Sequence, residues 1–281
     1  MIELKAVTKR YKHTMAMDSF SLTIPDTGVY CLLGRNGAGK TTFMKLLAGY
    51  ISANSGTITI DGTTVSPGRM PDCVSYLESG GTQFNMRVSE LIDTACRLQT
   101  NFDRDFAQEM TKRFELNPKK RFRQLSLGMR TMLTTIMSLA NNSTVILLDE
   151  PSLGLDPISR DRFNTMLLES YSAHPRVIIV STHDIDDIAQ VTESLLIMDK
   201  GKLLVQAEID DIDEKAYTLS GPTPEVLPLA KGLNCLATTQ TAGLMAAHIF
   251  DHRITVPQGV SIDRLGLKDF FINLVGRESH A

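Results

Sequence analysis

The sequence predicts an α/β fold: a largely parallel, ligand-binding sheet joined to an antiparallel β subdomain, a helical subdomain and a small C-terminal α+β module. Three observations predict it. Residues 29–49 run strand, glycine loop, helix without interruption. Thr144–Leu148 and Val177–Val180 are continuous β-prone apolar runs of the kind found in strands covered on both faces, and residues 158–173 between them suit a crossover helix. Residues 86–117 switch to helical periodicity. A length of 281 residues is enough for one large core and an appended lobe, with a first domain over 1–213, its helical subdomain at about 85–141, and an accessory module over 214–281.

In chain order, residues 2–7 and 20–24 alternate polar and apolar side chains and predict strands exposed on one face. Val29–Leu33 is apolar throughout and ends at Gly34, as a central strand would. From Thr41 the placement of Phe43, Met44, Leu47 and Ala48 fits one helix face, and Gly49 is a natural stop. Ser55–Gly62 reads as a strand running into a turn, and Val74–Leu77 as a further short strand. Val88, Leu91, Ile92, Ala95 and Leu98, then Phe106, Met110 and Phe114, recur at helical spacing. Ser126 is an available N-cap for a helix to Asn141, whose apolar face carries Met129, Met132, Leu133, Ile136, Met137 and Ala140. Leu195–Met198, the turn at Asp199–Lys202 and Leu203–Val205 form a closing hairpin. The acidic stretch from Glu208 to Glu214 reads as a solvated helix or linker face. Residues 215–281 mix short β-like runs with Gly and Pro before a helical pattern at Leu267–Val275.

The formal net charge is −3, so no basic excess is present to neutralise a nucleic-acid backbone, and no nucleic-acid partner is expected. Neither the N-terminal MIELKAVTKRYKH nor any later run has the apolar length of a signal peptide or a membrane span, so a cytosolic chain is expected. Cys31, Cys73, Cys96 and Cys235 lie far apart without CxxC spacing, which fits reduced packing residues rather than a zinc site or a disulfide framework.

Gly34-Arg35-Asn36-Gly37-Ala38-Gly39-Lys40-Thr41 satisfies G-x-x-x-x-G-K-[ST] between a strand and a helix. Glycines let the backbone wrap a phosphate. The amides of Asn36, Gly37, Ala38, Gly39 and Thr42 at the helix start supply partial positive charge, Lys40 neutralises the terminal phosphates, and the Thr41 hydroxyl suits magnesium. The run ending Leu148-Asp149-Glu150-Pro151 places acids at the C-terminal end of a buried strand, where open α/β sheets bind ligands. Asp149 is suited to hold hydrated magnesium and Glu150 to polarise an attacking water. On these residues alone, a small-molecule kinase using the same loop stays open.

Leu125-Ser126-Leu127-Gly128-Met129, at intervals from Lys40 and to Asp149 similar to those of that family, resembles the signature motif of the ATP-binding subunit of ABC transporters. The resemblance spans roughly residues 1–205. It implies a RecA-like P-loop NTPase core that binds ATP and Mg2+, and a head-to-tail homodimer or heterodimer in which Ser126 and the Gly128 amide contact the γ-phosphate of ATP held by the mate. It further implies a transmembrane permease partner and a peripheral, cytoplasmic location at the membrane. By the same resemblance Tyr11 stacks on adenine, His183 is the switch histidine at the γ-phosphate, and Ser152-Leu153-Gly154-Leu155-Asp156 is the loop by which subunits communicate.

The chain departs from the family pattern in three places. Leu127 and Met129 replace a more common glycine and glutamine, a variant associated with exporter-like and antibiotic-resistance members. Met132 stands where Arg or Lys is common, weakening an expected polar contact. Glu78 stands where a magnesium-sensing Gln is usual, so it becomes a candidate metal ligand, with Gln83 as the alternative should the loop alignment shift. The competing reading within the family is an ATPase acting on DNA or ribosomes, which usually brings long coiled-coil insertions or paired cassettes.

Overall fold

The longest apolar runs of the sequence become the centre of one sheet. In a computed structural model that describes residues 1–25, 27–78, 84–183 and 185–277, backbone contacts divide the chain into a first unit, Met1–Gln206, and a second beginning at Ala207. The division falls upstream of the 213/214 boundary read from the sequence.

The antiparallel subdomain of the first unit comprises β1 (Ile2–Tyr11), β2 (Thr14–Ile24), β4 (Ser55–Ile60) and β5 (Thr63–Thr64), in the order β2-β1-β4-β5. β1 and β2 are longer than their alternating segments because the β1–β2 register shifts after Leu4, Val7 and Lys9, and Ala6 and Ser19 take positive φ. Each bulge advances the two-residue period by one, so a continuous strand loses its alternation in sequence.

The main sheet has the order β10-β9-β3-β8-β7-β6, with β3 (Gly28–Leu33), β6 (Val74–Glu78), β7 (Val145–Asp149), β8 (Val177–Thr182), β9 (Ser194–Asp199) and β10 (Lys202–Glu208). Every residue of β3, β7 and β8 is buried. Both faces of these parallel strands are covered, which is why they read as unbroken apolar runs. One face packs on α1 (Lys40–Leu47) through Phe43, Met44 and Leu47 against Leu32, Leu147 and Ile179. Each such fully buried side chain contributes about 1.5–3 kcal/mol. Leu33 pairs with Thr182, Asp149 with Ser181 and Glu78 with Asp149, so the C-terminal ends of four strands line up along one edge.

The helical stretch is two helices, α2 (Val88–Leu98) and α3 (Arg104–Arg113), where Asp103 caps α3 by accepting from the Phe106 amide at 2.9 Å. α4 (Leu127–Ala140) follows, and Met132 is buried within it. α5 (Pro157–Ala173) is the crossover between the adjacent parallel strands β7 and β8.

In the second unit the acidic stretch forms α6 (Ile209–Lys215). Ile212 is fully buried, the helix packs on β11 (Ala216–Pro222) and β13 (Leu244–Phe250), and Asp213 pairs with Arg264. This apolar anchor explains why α6 groups with the second unit. The sheet order is β12-β13-β11-β14, with β12 (Cys235–Thr241) and β14 (Ser261–Arg264) at its edges. α7 (Thr223–Lys231) buries Val226 and Ala230 with Tyr217, Leu219 and Ile249, while Phe270 of α8 (Leu267–Arg277) lies 4.8 Å from Phe250. Among the described residues no helix is long and apolar enough to cross a membrane, and no cluster of His, Cys, Asp and Glu is arranged to hold a metal by itself.

Candidate nucleotide-binding site

The glycine loop leaves β3 at the aligned strand ends and enters α1. Gly39 is its N-cap at φ +111°, with no side chain capping the first amides, so these stay available to an anion. A Cβ on Gly39 would stand 2.5 Å from the Ala16 carbonyl, whereas at Gly37, φ +84°, no atom lies within 4 Å of that position. The loop is therefore closed on its protein side and open on the other, the shape a phosphate cradle requires. Lys40 is only 7% exposed. Its Nζ donates to the Gly34 carbonyl at 2.6 Å and lies 3.5 Å from Glu150 Oε1. A cavity of about 410 Å3 is lined by residues 35–42 together with Tyr11, Thr14, Ala16 and Glu150. Asn36, Gly37, Ala38, Gly39, Lys40, Thr41 and Thr42 thus share one cavity, with Tyr11 at its rim. The Tyr11 ring is half-exposed and carries Lys9 Nζ 5.1 Å from its centroid, leaving a flat face for a base.

The acids stand at the neighbouring strand end. Asp149 is buried, and its Oδ1 accepts a short hydrogen bond from the Ser181 hydroxyl. Glu150 has φ +53°, a left-handed conformation that costs a side-chain-bearing residue energy, and its amide donates to Ser181 Oγ at 3.1 Å and to the Ser181 carbonyl at 3.2 Å. Its Oε2 lies 2.9 Å from His183 Nδ1. One buried serine therefore holds the Asp149 carboxylate and the backbone of Glu150. No local sequence signal singles out Ser181, which meets the acids only through the pairing of β7 with β8. Thr41 lines the cradle, and Asp149 ends the strand whose next residue, Glu150, also lines it; a hydroxyl and a carboxylate are oxygen donors of the kind magnesium takes.

Glu78 is in register with Asp149, but its Oε1 accepts from Lys45 Nζ at 2.7 Å, and it does not line the cavity. Lys45, one turn along α1 from the loop, is a second residue that motif reading missed. Gln83 lies outside the described residues. Burial pushes the pKa of the Cys31 thiol, on β3, up to about 12 and keeps it protonated.

Ser126 and Gly128 do not join this cavity. Ser126 is exposed and caps α4, accepting from the Met129 amide at 3.2 Å, and Gly128 abuts Gly154, whose carbonyl would lie 2.6 Å from an added Cβ. Asp156 caps α5: Oδ1 accepts from the Ser159 amide at 2.9 Å and Oδ2 from the Ser159 hydroxyl at 3.0 Å.

Residues 17–153 match the family model described as ABC transporter. The chain carries an ABC transporter ATP-binding domain. The ABC transporter ATP-binding protein YtrB of Bacillus subtilis is 29% identical over 217 residues, spanning 76% of this chain and 74% of that protein. The bacitracin transport ATP-binding protein BcrA of Enterococcus faecalis is 27% identical, spanning 76% of this chain and 71% of its own length. A solved structure of the ATP binding subunit of an ABC transporter superposes with a TM-score of 0.67 at 21% identity, over 75% of this chain and 91% of that one, a likeness of fold. Both relatives are transporter ATP-binding proteins, and the matched segment of this chain contains the glycine cradle, Lys40, Asp149 and Glu150.

Proposed function

We propose that the chain powers an ABC exporter. Two copies, or one copy and a related subunit, close over two ATP molecules and so drive a separate transmembrane permease from the cytoplasmic face of the membrane. The observation that carries this reading is a split site. The cradle, Lys40 and Glu150 line one cavity and His183 is hydrogen-bonded to Glu150, while the exposed Ser126 at the tip of α4 does not line it and, in this reading, meets a nucleotide held by a second surface. The bacitracin transport name of one relative supports export.

In this reading Lys40 and the loop amides grip the β- and γ-phosphates, Tyr11 supports the base, and Glu150 orients the attacking water and accepts its proton. His183 steadies Glu150. Thr41 and Asp149 would hold Mg2+, which when bound polarises the phosphate oxygens and offsets their charge. Glu78 would reach the metal only by leaving Lys45. The mate's Ser126 hydroxyl and Gly128 amide close over the γ-phosphate, so its hydrolysis removes the contacts that favour closure. A cleft of about 220 Å3 beside β6, lined by Tyr76, Leu77, Phe84, Leu91 and Met137, offers the permease an apolar seat.

Glu150→Gln keeps nucleotide binding and loses turnover by about 10²-fold or more, the scale of a lost general base, whereas Lys40→Ala loses ATP affinity. Equilibrium binding of ATP and phosphate release measure the two. Near-normal turnover by Glu150→Gln would reject the catalytic assignment.

A further inference from the structure

The loop after Glu150 is built outward from that residue. Glu150 accepts from the Leu153 amide at 3.1 Å, Ser152 accepts from the Leu155 amide at 3.1 Å, and Gly154 between them takes φ +79°. The first turn of α4 lies directly against this loop. Gly128 approaches the Gly154 carbonyl so closely that a Cβ would clash, and Thr131 Oγ1 donates to the Leu153 carbonyl at 3.4 Å. Leu127 adds the side-chain contact: its Cγ and Cδ2 stand 3.1 Å from where a Cβ on Gly154 would be. Leu127 is 44% exposed, so its side chain is only partly withdrawn from water.

We propose that Leu127 is a positioning residue: it clamps the Gly154 turn and thereby couples the Ser126 tip of α4 to the Glu150 carboxylate of the same chain. The proposal rests on the two-ATP reading above, in which Ser126 meets the nucleotide of the mate while Glu150 acts on the nucleotide of its own chain. A displacement of the α4 tip would then be carried through Leu127 to Gly154, and through the two turns of the loop to Glu150. The backbone of Glu150 is already in a sparsely populated region and is held on its other side by Ser181. A glycine in place of Leu127 would remove this side-chain contact while keeping the backbone approach of Gly128 and the Thr131 bond. The leucine thus gives the departure from the common signature a physical role. The coupling is local, through packed atoms in one chain, and needs no motion of the phosphate loop.

Leu127→Ala tests it, because alanine removes Cγ and both Cδ atoms while preserving helix propensity in the first turn. In the ligand-free full chain, hydrogen exchange at the amides of Leu153 and Leu155 should accelerate on the order of tenfold. ATP turnover should show kcat reduced by roughly the same factor with KM for ATP changed less than about twofold, since the Lys40 loop is untouched. Leu127→Met, which can still cover Gly154, should restore both readouts, and a thermal midpoint close to that of the parent chain separates lost positioning from lost folding. Unchanged exchange at Leu153 and Leu155 overturns the clamp. Faster exchange with unchanged kcat overturns its coupling to Glu150, as does a kcat loss that Leu127→Met leaves unrestored. Exchange is read without nucleotide, so failure of the clamp is distinct from failure of the two-ATP reading, which the Glu150→Gln and Lys40→Ala results decide.

Discussion

Ser181→Ala isolates the device that holds the two acids together. The Ser181 side chain is fully buried, its hydroxyl donates to a buried carboxylate, and its oxygen accepts one branch of the Glu150 amide bond. Alanine leaves the other branch intact, because the Ser181 carbonyl still accepts from Glu150 at 3.2 Å. The loss is therefore concentrated at Asp149. A hydrogen bond to a charged group contributes about 1.5–3 kcal/mol, and the missing oxygen leaves a void too small for the packed strand ends to fill. A central value of about 2 kcal/mol corresponds to roughly a 30-fold fall in kcat/KM for ATP where Asp149 must be fixed in the transition state. The same deficit should appear as about 1–3 kcal/mol of stability in urea unfolding of the first unit, since the carboxylate stays buried with one donor fewer. Steady-state phosphate release at saturating magnesium, with parallel urea curves, supplies both numbers. Turnover within twofold of the parent chain would refute the claim that Ser181 holds the Asp149 carboxylate and the backbone of Glu150 in place.

Two further predictions concern pH. Hydrogen bonds first from the Ser159 amide and then from the Ser159 hydroxyl hold the Asp156 carboxyl below the ordinary aspartate range. Its stabilising effect is therefore present above that range and lost as pH falls through the lower folded value, so Asp156→Ala should lower the melting temperature at pH 7 and narrow its drop between pH 7 and pH 3; an unchanged acid profile would contradict the capping role. In the second unit His248 Nδ1 lies 2.9 Å from the Thr218 hydroxyl, and burial pushes its pKa down against the opposing pull of Asp269. Charging this histidine costs the folded state, so the unit loses stability as pH drops through the histidine range. An NMR titration should place the His248 midpoint below that of a free histidine, and a midpoint at or above it would be contrary.

The central strands and the phosphate loop are legible because their signals are local. Burial on both faces leaves an unbroken apolar run, and a phosphate cradle demands glycine and lysine at fixed spacing. Relations set by sheet register are not local. Ser181 meets Asp149 and Glu150 only because β7 and β8 pair as neighbours, and Lys45 meets Glu78 only because β6 ends level with the loop-bearing end of the sheet. The bulges of β1 and β2 hide strand length by resetting the alternation. In the acidic stretch a single buried residue, Ile212, outweighs the charged residues around it, and one position carries too little pattern to mark a boundary.

The signature residues show the same limit from the other side. Ser126 reads as a helix cap and is one, accepting the Met129 amide. Nothing within a single chain assigns its exposed hydroxyl to a nucleotide, and the spacing of the family motif alone supplied that expectation. The measurement that tests the account most directly is a crystal structure of the Glu150→Gln chain with ATP and magnesium. The account predicts the Ser126 hydroxyl of one subunit about 3 Å from a γ-phosphate oxygen gripped by Lys40 of the other. ATP seated in the loop with Ser126 turned to solvent or to its own chain would contradict it.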